Sequence, residues 1–466
     1  MCPAPEHRWL LLIGRIAASL AVFGAAFTTR TFYVDDLLAQ IRRGRPAADF
    51  KTAITEVTQK YTFVYEARAK GILAGRGVLF TDEPAHRLLG ILHPPGYPIF
   101  IAGVYRLAPP KLRSIARAQL LLDSACAALV TFAASGVFGL AAGAASGGLI
   151  ALSPHLAYNA MVPMPDTASA WPIVAGVLAL LLAWGRRRPT AGFALASLGV
   201  GLSCWLRANA MLLPLGLALL AWRSAASSAL VSVLVAAVVI APITLRNALQ
   251  YRVFVPVGWG SGGTLVEGIA DYDFENRFGF PKFDHDLGKW DDESVRTHLD
   301  RERLLTRKGL ELIVEHPVWF AGVMLRRALF QWSYDTRSER ALDTPFHTRI
   351  QPVVSDGPGL RGWVHLAQSG YGTLAGRSLT LLGVFWLARA GRRRELAALL
   401  LVPAYFLVFQ SVLHTEYRYS LVIHYFLFVV MAVGACESLR AVWRFGPGRR
   451  PGARDAEERP RAAADP

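Results

Sequence analysis

Apolar runs long enough to cross a bilayer, separated by short arginine-rich clusters, organise this chain. A span needs roughly 17–25 mostly apolar residues, and on that rule about ten are predicted. They fall at 9–28, 114–138, 140–158, 166–184, 190–206, 208–222, 226–244, 373–390, 395–413 and 420–438. The basic clusters set the orientation. "RRR" at 186–188, Arg223, "RAGRRR" at 389–394 and "RFGPGRR" at 444–450 all fall on one side under this count. Positive charge marks the cytoplasmic side, which puts both termini inside. No small-residue cleavage pattern follows the first run, so it reads as a retained span.

The same count places two long polar segments outside. Residues 1–244 form an N-terminal membrane region whose first extracytoplasmic loop covers 29–113, and 245–371 form a second large loop. Residues 372–440 return to the membrane, and 441–466 read as a disordered cytoplasmic tail. Within the first loop Phe50, Ile54, Val57, Tyr61, Val64 and Ile72 make an apolar stripe at helical spacing, opposite Glu56, Gln59 and Glu66. Residues 309–332 are apolar enough to tempt an eleventh span. Counting them would reverse the side of "RAGRRR", so they read as a helix lying on the outer surface. The expected fold is therefore an all-α polytopic membrane protein with about ten transmembrane helices and two large extracytoplasmic loops carrying interfacial helices.

Composition agrees. The chain has 466 residues, 53% of them hydrophobic, and carries a net charge of +16. The arginines flank apolar spans, so they explain orientation and do not point to nucleic acid. Four cysteines, Cys2, Cys126, Cys204 and Cys436, show no metal-site spacing and avoid the polar loops, so neither zinc nor a disulfide framework is expected. There is no internal repeat of the kind many transporters carry.

Several residues could carry chemistry. Asp35 and Asp36 stand just past the first span. Two adjacent acids beside lipid repel each other, a setting that suits general-base work, although a helix cap would use the same residues. In "HPPGYP", Pro94, Pro95 and Pro98 stiffen a turn that Gly96 permits, with His93 at its tip. Asp166 begins the fourth span, where a carboxylate either caps the helix or faces an outer cavity. Arg207, Arg246 and Arg418 lie at the outer boundary against the positive-inside bias. Convergence on one anion would use the guanidinium's fit to phosphate, while snorkelling or pairing with Glu416 is the plainer alternative.

In order, Tyr65, Ala69, Leu73, Gly75 and Gly77, then "HPPGYP", "PDTAS", "LRNAL", "EHPVWF" and "YRYS", resemble the C-type glycosyltransferases of the protein O-mannosyltransferase and aminoarabinose-transferase type. The resemblance implies transfer of a sugar from a polyprenyl-phosphate donor to an acceptor glycan, lipid or protein hydroxyl on the extracytoplasmic face of a bacterial inner membrane. It implies inversion at the anomeric carbon, with Asp35, Asp36 or Glu66 as general base. His93, Tyr97, Asp166, Arg207, Arg246 and Arg418 would bind the donor, with no cofactor, metal or nucleic acid. One feature departs from the family: no acid stands near Tyr61 and Thr62, where the family carries its pair. Two other classes compete. A lipid or polysaccharide transporter would need mid-span ionisable groups such as Asp123 or Arg15, and an assembly subunit would use the acidic outer loop as a binding face.

Overall fold

The computed structural model describes residues 5–42, 65–79, 87–185, 188–222, 225–280, 295–334, 352–355 and 357–445. Most of the predicted stripe at 50–72 lies outside the described residues, as does the chain from 446 onward.

The described chain is all helix and connection. Helix α1 (Pro5–Arg42) is followed by the short helices α2 (Ala67–Leu73) and α3 (Arg87–Leu92) and by α4 (Gly96–Leu107). Then come α5 (Leu112–Phe138), α6 (Leu140–Leu152), α7 (Pro154–Met161), α8 (Pro165–Gly185) and α9 (Pro189–Leu206). A 3-10 turn (Ala208–Ala210) leads to α10 (Leu213–Trp222) and α11 (Ala226–Tyr251). The second long connection carries α12 (Ser261–Tyr272), α13 (Val295–Glu315), α14 (Pro317–Gln331) and α15 (Leu360–Ser369). The chain closes with α16 (Thr373–Arg389), α17 (Arg393–Val412), a 3-10 turn (Tyr417–Ser420) and α18 (Leu421–Phe445).

Among the described residues seven helices are long and apolar enough to cross a membrane, and eight if α6 and α7, bent by 53° at their junction, form one span. The expectation of about ten differs at three places. The run at 208–222 is broken into a 3-10 turn and a ten-residue helix. Pro214 in the first turn of α10 lacks the N–H needed to continue a helix from above. The run at 373–390 is a helix of 17 residues, with Arg377 in its second turn bonded to the Trp332 carbonyl at 2.8 Å. The run at 140–158 is the bent pair, broken at Ser153 and Pro154. The expected surface helix at 309–332 is also interrupted, at His316. Its second half, α14, has 15 residues, or about 22 Å at 1.5 Å per residue, too short for a hydrocarbon core of roughly 30 Å.

Helix α18 is the centre of the bundle: 78% of its apolar window is buried, against 11% for α1 at the rim. It packs on α6, α8, α16 and α17. Helices α8 and α9 run side by side along a seam of small residues. A β-carbon at Gly199 would overlap the Pro172 carbonyl, and one at Gly176 would press on the Ala196 backbone. Small residues let membrane helices approach this closely.

One buried ion pair ties the first helix to this centre. Arg30 and Asp123 are paired and fully enclosed. The Arg30 guanidinium also donates to the Ala151 carbonyl at 3.1 Å and the Ile150 carbonyl at 3.4 Å, and the Tyr425 hydroxyl donates to Asp123. The two carbonyls sit at the break between α6 and α7, where Pro154 offers no N–H to Ile150. Removing one partner of a buried pair typically costs about 3–5 kcal/mol. Asp123→Ala should therefore lower the thermal unfolding midpoint in detergent sharply. The double change Arg30→Met with Asp123→Leu should recover only part, because the carbonyls at the bend then lose the bonds from Arg30. A wild-type midpoint for Asp123→Ala would remove this pair from the account of the fold.

Candidate functional site

The "HPPGYP" stretch is the hinge on which the site is built. Helix α3 ends at Leu92, the chain turns through His93 to Pro95, and α4 begins at Gly96. A β-carbon at Gly96 would overlap the Trp205 carbonyl, so only glycine lets α4 start directly against the end of α9. The Trp205 indole is in turn fixed to the Val239 carbonyl at 2.8 Å. Tyr97 is fully buried, and its hydroxyl bonds to Gln119. Gln119 reaches across to the Val162 carbonyl at 2.8 Å, in the connection that starts α8. The corner thereby orients both His93 and the chain leading to Asp166. The Tyr65 ring meets His93 edge-on at 5.5 Å and Tyr97 at 5.0 Å. Arg68 donates to the His93 carbonyl at 3.0 Å.

Beyond this corner the ends of α8, α9 and the second 3-10 turn bring charged groups together. Asp166, in the first turn of α8, is paired with Arg207 at the end of α9. The Arg207 side chain keeps 21% exposure, while that of Asp166 is enclosed. Asp166 Oδ2 has no hydrogen-bond partner among the described residues. Arg207 and Arg418 both lie over the Tyr419 ring, at 4.2 and 5.2 Å from its centroid. Asp166, Ser169, Ser203, Asn209, Arg418 and Tyr419 line a cavity of about 10 Å³, room for about one water molecule.

Arg418 is held from behind by Glu416, whose other oxygen accepts from the Tyr419 hydroxyl at 3.0 Å. His414 completes the row: its Nδ1 is 2.7 Å from Asp271 and its Nε2 is 3.4 Å from Glu416. Burial alone would lower the affinity of His414 for a proton, but bonds to Asp271 and Glu416, with Glu267 nearby, raise its pKa from 6.5 to about 10. Burial likewise opposes ionisation of Glu416, yet Arg418 and His414 hold its carboxyl well below the usual carboxylate range. Burial raises the Tyr65 phenol, with the charges of Arg207, Arg418 and Arg68 pulling the other way.

Of the residues singled out in the sequence, the structure brings together Asp166, Arg207 and Arg418, while His93 and Tyr97 meet at Tyr65 in the adjoining corner. It places the other four elsewhere. Asp35 and Asp36 are not past the end of a helix but inside α1, which excludes the helix-start cap. Asp36 pairs with Arg361 of α15 and accepts from the Val354 N–H at 2.9 Å. Asp35 stays 54% exposed, 3.9 Å from the same guanidinium. Glu66 accepts from the Tyr105 hydroxyl at 2.9 Å and lies 3.3 Å from Lys70. Arg246 is fully enclosed, donating to the Gly90 carbonyl at 2.7 Å and the Tyr251 hydroxyl at 2.6 Å, and so fastens α3. Sequence reasoning missed His414, Asp271 and Tyr419. A signal was present in "HTEYRYS", where a histidine, an acid and an arginine follow one another at a span end.

The charged corner lies at the bundle end opposite the arginine-rich connections. Arg392, in the connection between α16 and α17, donates to the Val137 carbonyl at the far end of α5, at 2.9 Å. Among the described residues no group of three or more His, Cys, Asp or Glu is arranged to hold a metal ion.

Fold and site together define an all-α polytopic membrane protein with a polar, arginine-bearing centre at one end of its helices. No protein-family model matches the chain, and no curated protein matches it. Among solved structures it is similar to the archaeal oligosaccharyltransferase AglB from Archaeoglobus fulgidus, in complex with an inhibitory peptide and a dolichol-phosphate. The identity is 14%, over 77% of this chain and 44% of that one, with a TM-score of 0.43. It is also similar to ArnT from Cupriavidus metallidurans bound to undecaprenyl phosphate, at 15% identity over 81% of this chain and 72% of that one, with a TM-score of 0.36. The chain spans less than half the length of the archaeal structure it matches.

The corner's dependence on glycine can be tested directly. Gly96→Ala should destabilise by about 1–3 kcal/mol, the usual cost of overpacking. Gly103→Ala, later in the same helix with open space around it, should be neutral or slightly stabilising. Equal unfolding midpoints for the two variants would mean that α4 does not rest on Trp205.

Proposed function

We propose that this chain is a membrane glycosyltransferase that moves a sugar from a polyprenyl-phosphate donor to an acceptor hydroxyl on the extracytoplasmic side of a bacterial inner membrane. The observation that carries the reading is the pairing of Arg207 and Arg418 over Tyr419 at one end of an apolar bundle. Guanidinium groups fit phosphate oxygens, and the helices offer the isoprenoid an apolar surface at the same depth. The motif order set out above supports the same class. Both termini and the arginine-rich connections are assigned to the cytoplasm on the positive-inside rule.

In this mechanism the acceptor oxygen attacks the anomeric carbon as the bond to the donor phosphate breaks, and configuration inverts. His93, Arg207 and Arg418 stabilise the charge that develops on the leaving phosphate. Asp166 orients Arg207 through their ion pair. Asp35, Asp36 and Glu66 lie away from this cluster; of the three, Asp35 is the least committed to hydrogen bonds, which keeps it first among them as candidate general base, with Asp166, inside the cluster, as the fourth. The transporter alternative loses its main support, since Asp123 is locked to Arg30 and Tyr425.

Purified protein given a labelled polyprenyl-phosphate sugar should transfer or hydrolyse it; neither product would sink the proposal. Arg418→Ala and His93→Ala should each weaken donor use by roughly ten- to a hundredfold, the loss of one charge-assisted contact. Asp35→Asn should slow turnover by about 10²–10⁴, as general-base loss does. Asp36→Asn and Glu66→Gln serve as comparisons. Normal turnover in all three would move the base to Asp166, whose Oδ2 faces no partner among the described residues.

A further inference from the structure

The row His414, Glu416, Arg418 is where a helix from the second long connection docks onto the membrane bundle. The His414 N–H donates to the Thr264 carbonyl of α12 at 2.8 Å, and a β-carbon at Gly268 would overlap the backbone at Leu413 and His414. Two further contacts clamp α12. Glu302 of α13 accepts from the Gly262 N–H at 2.8 Å and the Gly263 N–H at 3.2 Å. Arg327 of α14 donates to the Gly268 carbonyl and to the Ser411 carbonyl at 3.0 Å, and lies over the Tyr272 ring. The side chain that α12 delivers through this docking is Asp271.

An imidazole set between two carboxylates satisfies both only when both nitrogens carry protons. That is the position of His414, between Asp271 and Glu416. Glu416 is itself buried and also faces Arg418 and the Tyr419 hydroxyl. The imidazolium and the Tyr419 hydroxyl meet Glu416 Oε1, which leaves Oε2 to Arg418 and fixes the direction from which that guanidinium is held. We propose that His414 is a positioning residue: held as a cation by Asp271, it locks Glu416 and so aims Arg418 at the donor phosphate, which makes phosphate binding depend on α12 being docked. This rests on the assignment of Arg207 and Arg418 to that phosphate. The charged and titratable groups facing His414 include Asp271 and Glu267 on α12 and Glu416 and Tyr419 on its own connection.

The test is equilibrium binding of a sugar-free polyprenyl monophosphate to the full chain in nanodiscs, across neutral to alkaline pH. Wild-type affinity should hold steady and then fall as His414 loses its proton near about 10. Asp271→Asn keeps the size of the side chain but removes a carboxylate that raises His414, so the fall should move to lower pH. His414→Gln should bind roughly tenfold more weakly, the loss of one charge-assisted contact, with no fall in that range. Thermal midpoints confirm that the variants remain folded, and the wild-type profile needs no variant at all. If Arg207→Ala and Arg418→Ala bind the probe normally, the phosphate assignment itself is overturned. If those two lose binding while His414→Gln and Asp271→Asn match wild type in affinity and profile, only the positioning role is overturned. A His414→Gln protein that is weaker yet still falls at the wild-type pH overturns it too, since another group must then be titrating.

Discussion

The structure turns on the Arg30 guanidinium, which meets one carboxylate and, besides the Ala26 carbonyl of its own helix, the two main-chain carbonyls of the α6–α7 bend. Hydrocarbon offers no water to a carbonyl released from a helix, so a break within a span persists only where protein supplies the missing donor. Pro154 creates such a break; the Ser153 N–H reaches the Ile150 carbonyl at 3.4 Å, and Arg30 donates to both Ile150 and Ala151. The charge this brings is balanced by Asp123, and the remaining Asp123 oxygen is taken by Tyr425 of the central helix. The arrangement therefore joins α1, α5, the α6–α7 bend and α18 at one point. Because α7 can diverge there, its far end reaches Val162, whose carbonyl takes the Gln119 amide and fixes where α8 begins. Asp166 is four residues further on, so the charged cluster inherits its position from a polar contact buried well inside.

Near Tyr419 the charges alternate in sign: Asp166 with Arg207, Glu416 with Arg418, Asp271 with His414. Buried arginines would be costly alone, and each has a carboxylate that offsets the loss of water. The same carboxylates restrict how each guanidinium can turn, so the donors are already oriented before a ligand arrives. Arg207 is the more open of the two arginines. That gives the cluster one wet guanidinium and one dry one.

Much of this was legible in the sequence, and what was not has a physical cause. Apolar runs identified the helices because lipid tolerates little else. Their breaks were harder to see. Pro172, Pro242 and Pro403 lie within continuous helices, whereas Pro154 and Pro214 stand at helix starts after a break. A proline alone does not distinguish these outcomes, because neighbouring helices decide whether freed carbonyls are satisfied. Acids and bases at span ends gave Asp166, Arg207 and Arg418, since few other places in a membrane protein keep charge. Arg246 had the same signature but turned inward, to Gly90 and Tyr251. Asp36 looked poised for chemistry, yet its partner Arg361 comes from a helix 325 residues away. His414 was hidden for the same reason: its meaning depends on Asp271, 143 residues distant.

The Asp166–Arg207 pair shows how the apolar and polar levels are joined. Gly192, Ala196 and Gly199 recur at helical spacing on α9: a β-carbon at Gly192 would meet Ala183 and Leu180 of α8, one at Gly199 would meet Pro172, and one at Gly176 of α8 would meet the Ala196 backbone. Contact this close leaves the two helices little room to slide, because any shift would drive a side chain into the opposing backbone. The seam is antiparallel, so holding its register also holds the first turn of α8 against the last turn of α9. Asp166 and Arg207 occupy those turns. A substitution in the seam that added even a methyl group would thus act on the charged site without touching it. The register of α8 against α9 is set by the absence of side chains, and the ion pair at their ends depends on that register.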